Sequence, residues 1–209
     1  MSNIKVRWLG LSCWKLEAGG MSIVVDPYTG VRGLPEFKTE ANAVYCSHHH
    51  GDHGYTEAVD IVPYEGEPVF NVRTVETYHD GQQGSLRGNN RIHIFEAFGL
   101  SVVHCGDLGH LLSEEQVKAV GKCDMLLVPI GGHYTIDAEQ AKNVALALGA
   151  KVIVPMHYRE GEMGHDVVAE AEPFVAMWDD RPVMHIDSDT IVLTGGEEPQ
   201  VVRLTFKGV

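Results

Sequence analysis

Apolar and polar residues alternate from the start of the chain. Ile4 to Leu9 and Ser12 to Glu17 follow the two-residue period of a half-buried strand. Ala18-Gly19-Gly20 reads as the turn into a short apolar strand, Met21 to Val25, which Asp26-Pro27 stops. Residues 28–41 hold three Gly/Pro punctuators among mixed charges and read as loop. Ala43 to Ser47 is a further short strand, and Val69 to Tyr78, rich in Val and Thr, an extended one. The Gly/Asn-rich stretch 80–90 is a loop of the kind that lies over a site. Arg91 to Glu96 and Leu100 to Cys105 form a hairpin across Ala97-Phe98-Gly99.

The period then changes. Ser113-Glu114-Glu115-Gln116 is a capping-box signature before a short helix ending near Gly121. Asp137 and Gln140 repeat it for a helix whose apolar spacing, Ala141, Val144, Ala145 and Leu148, runs to Gly149. Asp124 to Pro129 reads as a buried strand, and Lys151 to Pro155 as a near-continuous apolar one, as in a sheet covered on both faces. A third helix is predicted over Asp166 to Trp178, and strands over Arg181 to Ile186, Thr190 to Thr194 and Gln200 to Phe206. Strands first and βα alternation later, with no repeat and no linker, predict one domain over residues 1–209.

Composition narrows the class. A folded chain of this length buries about 70% of its surface, enough to need no staple. Apolar residues make up 44% and charged residues 22%, which excludes disorder, collagen and coiled coil. No apolar run approaches a membrane span, and MSNIKVRWLG has no apolar signal core, so no membrane role is expected. Sixteen basic against 29 acidic residues leave a net charge of −13, the reverse of a nucleic-acid footprint. The four cysteines form no C-x-x-C pair, consistent with a reduced, cytoplasmic chain. Histidine is the unusual residue: there are 12, eight of them between His48 and His110.

The chemistry concentrates in His48-His49-His50-Gly51-Asp52-His53, an H-x-H-x-D-H run. In extended backbone His48 and His50 point the same way, and Gly51 permits a turn that brings Asp52 and His53 back toward them. Four ligands in six residues exceed what one tetrahedral ion can use beside ligands from elsewhere, which points to two metals. Three more candidate groups follow strands: Tyr78-His79-Asp80, His104 to His110 around Gly106-Asp107, and Met156-His157-Tyr158.

The pattern resembles the metallo-β-lactamase superfamily, in particular its small single-domain metal-dependent hydrolases. The matching pieces are Val25-Asp26-Pro27, the H-x-H-x-D-H run, His79, Gly106-Asp107, Gly131-Gly132 with Tyr134-Thr135, and His157-Tyr158. The resemblance implies an α/β fold of the αββα type, two mixed sheets face to face with helices outside. It implies that His48, His50 and His79 hold one metal, Asp52, His53 and His157 a second, and that Asp107 and a hydroxide bridge them. Asp26 would orient a ligating histidine. Two divalent ions are expected, zinc first, with manganese or iron as alternatives. The zinc-binding cysteine of some β-lactamases has no counterpart. Neither the accessory domain of nucleic-acid-processing members nor the helical extension of the larger lipid and thioester hydrolases is expected within these 209 residues.

Around this frame Asp52, His110 and Tyr158 are candidate catalytic residues, with the Tyr158 hydroxyl able to bind an oxyanion. His110 and His133 either reach substrate or bond a nearby carbonyl. His93, His104 and His185 fall in strands and read as structural, whereas the position of His165 relative to the cleft stays open. Cys46 and Cys105, each two residues before a ligand, read as buried packing. Gly131-Gly132 allows either backbone binding of an anion or close packing. The reading is a hydrolase cleaving an ester, lactone, amide or phosphodiester of a small anionic molecule. Its rivals are a nuclease or phosphodiesterase acting on nucleic acid and a non-catalytic metal-binding sensor. Homo-oligomerisation is left open.

Overall fold

The computed structural model describes residues 2–208. Its strands are β1 (Ile4–Gly10), β2 (Cys13–Ala18), β3 (Met21–Val25), β4 (Thr39–Ala41), β5 (Ala43–Tyr45), β6 (Val59–Ile61), β7 (Asn71–Tyr78), β8 (Asn89–Ala97) and β9 (Leu100–His104). Helix α1 (Glu114–Val120) precedes β10 (Met125–Pro129), and α2 (Ala138–Ala147) precedes β11 (Val152–Met156). The chain closes with α3 (Glu172–Val175), β12 (Val183–Ile186), β13 (Thr190–Leu193) and β14 (Gln200–Leu204).

Two mixed sheets dominate. One has the order β13-β1-β2-β3-β5 and the other β12-β14-β11-β10-β9-β8-β7, with β4 and β6 a small separate pair. The apolar faces of the large sheets meet in one cluster of buried residues. Trp8 stacks on Trp14 with centroids 6.1 Å apart, and the Trp14 indole N–H reaches the Met156 sulfur at 3.3 Å, tying the first sheet to the second. Every residue of β9, β10 and β11 is buried, as strands covered on both faces must be. The outer cover includes α2, which packs on β10 and on α3, while α1 packs on β7. Both expected capping boxes form, at Ser113 and Asp137, each satisfying otherwise orphaned helix N–H groups. No helix among the described residues is long and apolar enough to cross a membrane.

Strand direction sets where the chemistry gathers. β7 runs antiparallel to β8, β8 antiparallel to β9, and β9, β10 and β11 run parallel. The C-terminal ends of β7, β9 and β11 therefore share one edge, and His79, Asp107 and His157 lie just beyond them. In the other sheet β3 and β5 run parallel and lead into Asp26 and Ser47-His48. Sites at such carboxyl edges are the rule in layered α/β folds.

Two local expectations change. The helix predicted over 166–178 shrinks to α3. Ala169 N–H bonds the Gly131 carbonyl (2.8 Å) and its own carbonyl accepts from Arg159 N–H (2.9 Å), so the backbone there is committed to lateral pairing. Pro173, lacking an N–H, fits only in the first helical turn. Conversely, β4 and β6 emerge from stretches with no strand signal. They are three residues each and exist through a non-local parallel pairing that periodicity cannot register.

Candidate metal centre

The H-x-H-x-D-H run is held from behind by one buried carboxylate. Asp26 Oδ1 accepts from Ser47 N–H (2.6 Å), and Oδ2 accepts from the Ser47 hydroxyl (2.6 Å) and His53 Nδ1–H (2.8 Å). Because the serine proton is given to Asp26, Ser47 Oγ can only accept from His48 Nδ1–H at 3.0 Å. His79 Nδ1–H donates to the Tyr134 carbonyl at 3.1 Å. All three rings therefore donate from Nδ1 and turn Nε2 inward, the atom a metal would take.

Asp107 lies at the centre. Its Oδ1 is 3.1 Å from His53 Nε2, and its Oδ2 is 3.2 Å from His79 Nε2 and 3.3 Å from His157 Nε2. Gly106 (φ +55°) turns the chain to bring it there; a Cβ at that position would lie 2.4 Å from Asn90 Oδ1 and from Ser47 Cβ. Asp26 and His157 also take positive φ, +50° and +52°, a strained choice for non-glycine residues that marks functional positions more often than structural ones.

Ligand atoms form overlapping clusters: His48, His50 and His79; His53, Asp107 and His157; His48, Asp52 and His53; and Asp52, His157 and His165. His48 Nε2, His53 Nε2 and Asp107 Oδ1 are buried without a hydrogen-bond partner. Orphaned buried polar atoms are costly unless something else pairs with them, so the donor set fits divalent cations. Burial, and then the neighbouring charge of His53, push the His48 imidazole down to about 3, so it stays a neutral ligand. Burial alone would also lower His53, but the charges of Asp107 and Asp26 outweigh it and raise its pKa well above the usual value. Asp107 is held far below the carboxylate range: burial opposes this, and the charges of His157 and His53 prevail.

All seven residues expected as ligands take part in these clusters, and Asp26 orients His53 as expected. His165, left open by the sequence, joins them: its Nε2–H donates to Asp52 Oδ2 at 3.0 Å. Its only sequence signal is a Gly-containing loop eight residues after His157. A cavity of about 230 Å³ opens over the centre, lined by His50, Asp52, His79, Arg87, Asp107, Tyr134, His157 and His165.

Two candidate catalytic residues stand apart. His110 lines a separate groove with Tyr78 and Leu111; its Nε2 accepts from Tyr78 N–H and its Nδ1–H donates to the Leu111 carbonyl, so both ring nitrogens are engaged away from the cavity over the centre. Tyr158 is buried in the core with its ring 5.7 Å from Trp8, and it does not line the cavity over the centre. His133 is exposed beside Tyr134 and does not line the cavity. His93 and His104 are structural, bonding the Cys46 and Ser12 carbonyls. Neither Cys46 nor Cys105 enters a cluster, and burial raises both thiols to about 12. Gly131 is explained by packing, since a Cβ there would lie 2.3 Å from the His157 carbonyl oxygen.

A model of the beta-lactamase superfamily domain matches residues 5–157, most of the chain and all the ligand positions. The chain belongs to the metallo-β-lactamase superfamily. Within it, the chain is similar to a solved putative Zn-dependent hydrolase of this superfamily from Thermotoga maritima, with 32% identity, a TM-score of 0.70, and 97% of this chain and 100% of that one covered. It is 27% identical to a metal-dependent hydrolase of Thermoplasma acidophilum over 85% of this chain and 92% of that protein. A metal-dependent hydrolase of Bacillus cereus is 28% identical over 74% of this chain and 86% of its own length.

Proposed function

We propose that this superfamily member is a hydrolase that works with two divalent ions, zinc first among them, and cleaves an ester, lactone, amide or phosphodiester bond of a small anionic substrate. The observation that carries the reading is the placement of Asp107 between two histidine sets, His48/His50/His79 and His53/His157, under one open cavity. Divalent ions held by these residues would supply Lewis acidity to the scissile bond and activate water as the nucleophile.

The chain's own groups do the rest. Asp26 and the Tyr134 carbonyl fix the tautomers of His53 and His79. The burial of His48, His53, His79 and Asp107 keeps bulk water from the inner wall, which strengthens every charge interaction there. Asp52, only partly buried, faces the cavity with one oxygen tied to His165, so its direction is set before substrate arrives. A net charge of −13 supports a small molecule over nucleic acid as partner. Four free cysteines among the described residues support placement in the cytoplasm.

Elemental analysis of purified and reconstituted protein, coupled to an ester, lactone, amide and phosphodiester panel, tests the proposal. About two ions per chain and turnover that disappears with chelation are expected. Protein that takes up no metal on reconstitution would end it.

A further inference from the structure

Arg87 is the arginine whose charge the fold leaves unused. Each of the seven others lies within 4.0 Å of a carboxylate. Among the described residues Arg87 has no such partner, in a chain with 29 acidic side chains to choose from. It is half-buried, and its guanidinium stands 5.5 Å over the Tyr134 ring centroid. Stacking on an aromatic face leaves the five N–H donors of the fork free.

Its position is built, not incidental. The buried Asp80 carboxylate accepts backbone N–H bonds from Gln82 (2.7 Å), Gly84 (2.9 Å), Leu86 (3.0 Å) and Arg87 itself (2.8 Å). This winds the 80–90 loop around one anchor that directly follows His79. Tyr134, the platform, also holds His79 through its carbonyl. The guanidinium is thus tied at both ends to the same histidine of the centre.

Two cavities meet at this residue. Arg87 and His50 line both the cavity over the centre and a second one of about 300 Å³ that extends toward Asn89 and Arg91. We infer that Arg87 forms an anion subsite at the junction, receiving a carboxylate or phosphate that the substrate carries away from its scissile bond. This deepens, and rests on, the hydrolase reading above. The ligand class is a small molecule with two anionic ends: one group reaches the histidine-aspartate centre, and the other meets the arginine fork, which matches a planar carboxylate or a phosphate face bidentately. Arg91 does not compete for the role, since its Nε–H is bonded to Glu76 at 2.9 Å.

The test compares glutarate with butyrate, which share one carboxylate and differ in the second. Dissociation constants are measured by calorimetry or ligand-observed NMR on the metal-loaded protein and on Arg87→Met, Arg87→Gln and Arg87→Lys. Wild type is expected to prefer glutarate by about tenfold or more, the scale of a charge-assisted pair. Arg87→Met and Arg87→Gln should bring the ratio close to one, and Arg87→Lys should keep part of it. No folded contact of the guanidinium beyond the Tyr134 ring is lost, so these variants are expected to melt like wild type. A wild-type ratio near one, or a wild-type ratio retained in both neutral variants, overturns the subsite. Metal content is read on the same samples. Its absence counts against the two-ion reading, whereas the ratio cancels whatever the shared carboxylate meets and reports on Arg87 alone.

Discussion

The two halves of the centre are built differently. The inner half, His53, Asp107 and His157, is buried and backed by Asp26, itself buried and bonded to Ser47 and His53, while Asp107, His157 and the partly buried Asp52 also line the cavity over the centre. The outer half, His48, His50 and His79, contains an exposed member, His50, which also forms the wall of both cavities. A buried cage of opposed charges is fixed by the fold before any ion enters. A half that opens to solvent must also meet substrate. On the proposed two-ion reading, an ion at the inner half should bind more tightly, and one at the outer half, where His50 is exposed, should exchange faster.

Asp107→Ala is the harshest challenge to that division, because the carboxylate faces both halves. The variant should hold at most one tight ion per chain and lose activity well beyond the roughly 10–100-fold that substitutions behind the ligands cause. Two ions retained at full stoichiometry, by elemental analysis, would break the comparison. His48→Ala together with His50→Ala should remove outer-half metal and turnover while sparing inner occupancy.

Next in size is Asp26. Asp26→Ala strips a buried carboxylate from His53 and Ser47 and should cost about 3–5 kcal/mol of stability, measured by denaturant unfolding of the metal-free chain. Asp26→Asn keeps the shape but not the charge. It should weaken inner-ion affinity by about 10–100-fold through His53, and outer-ion affinity less, because Asp26 reaches His48 only through the Ser47 hydroxyl. Equal weakening of both would mean that the halves are one unit.

How much of this was legible in sequence follows the same line. Strands announced themselves by alternation, and helices by their caps at Ser113 and Asp137. Those signals are local, and so is the H-x-H-x-D-H run, so both were readable. His79, Asp107 and His157 were assigned through family resemblance, and the fold brings them together because β7, β9 and β11 run the same way. His165 and Arg87 carry only the weak signal of lying in Gly-rich loops. Their roles arise from a loop crossing to Asp52 and from the absence of an acidic neighbour, which only coordinates reveal. The misplacement of Tyr158 has the same root. Adjacency to a ligand in sequence says nothing about which side of a positive-φ turn the next side chain faces. The predicted third helix failed because lateral bonds at Ala169 outweighed a helical apolar pattern.

The smallest expected effect concerns the rim, at Asp80. Burial would raise its pKa, but four backbone N–H donors, led by that of Arg87, outweigh it and bring it to about 2. A carboxylate depressed in the folded state adds stability that is fully present above its unfolded pKa, about 4. That contribution fades as pH falls through the folded value of about 2. Asp80→Asn should therefore lower the melting temperature slightly at neutral pH, with the difference shrinking below about pH 4 and vanishing only below about pH 2. Because the anchor orders the outer loop only, inner-ion affinity should stay at the wild-type value at pH 7. Turnover should fall modestly, through KM more than kcat, as Arg87 loses its fixed position. A kcat loss as large as that of Asp26→Asn would show that the rim and the buried cage are mechanically one, and would undo the division between them.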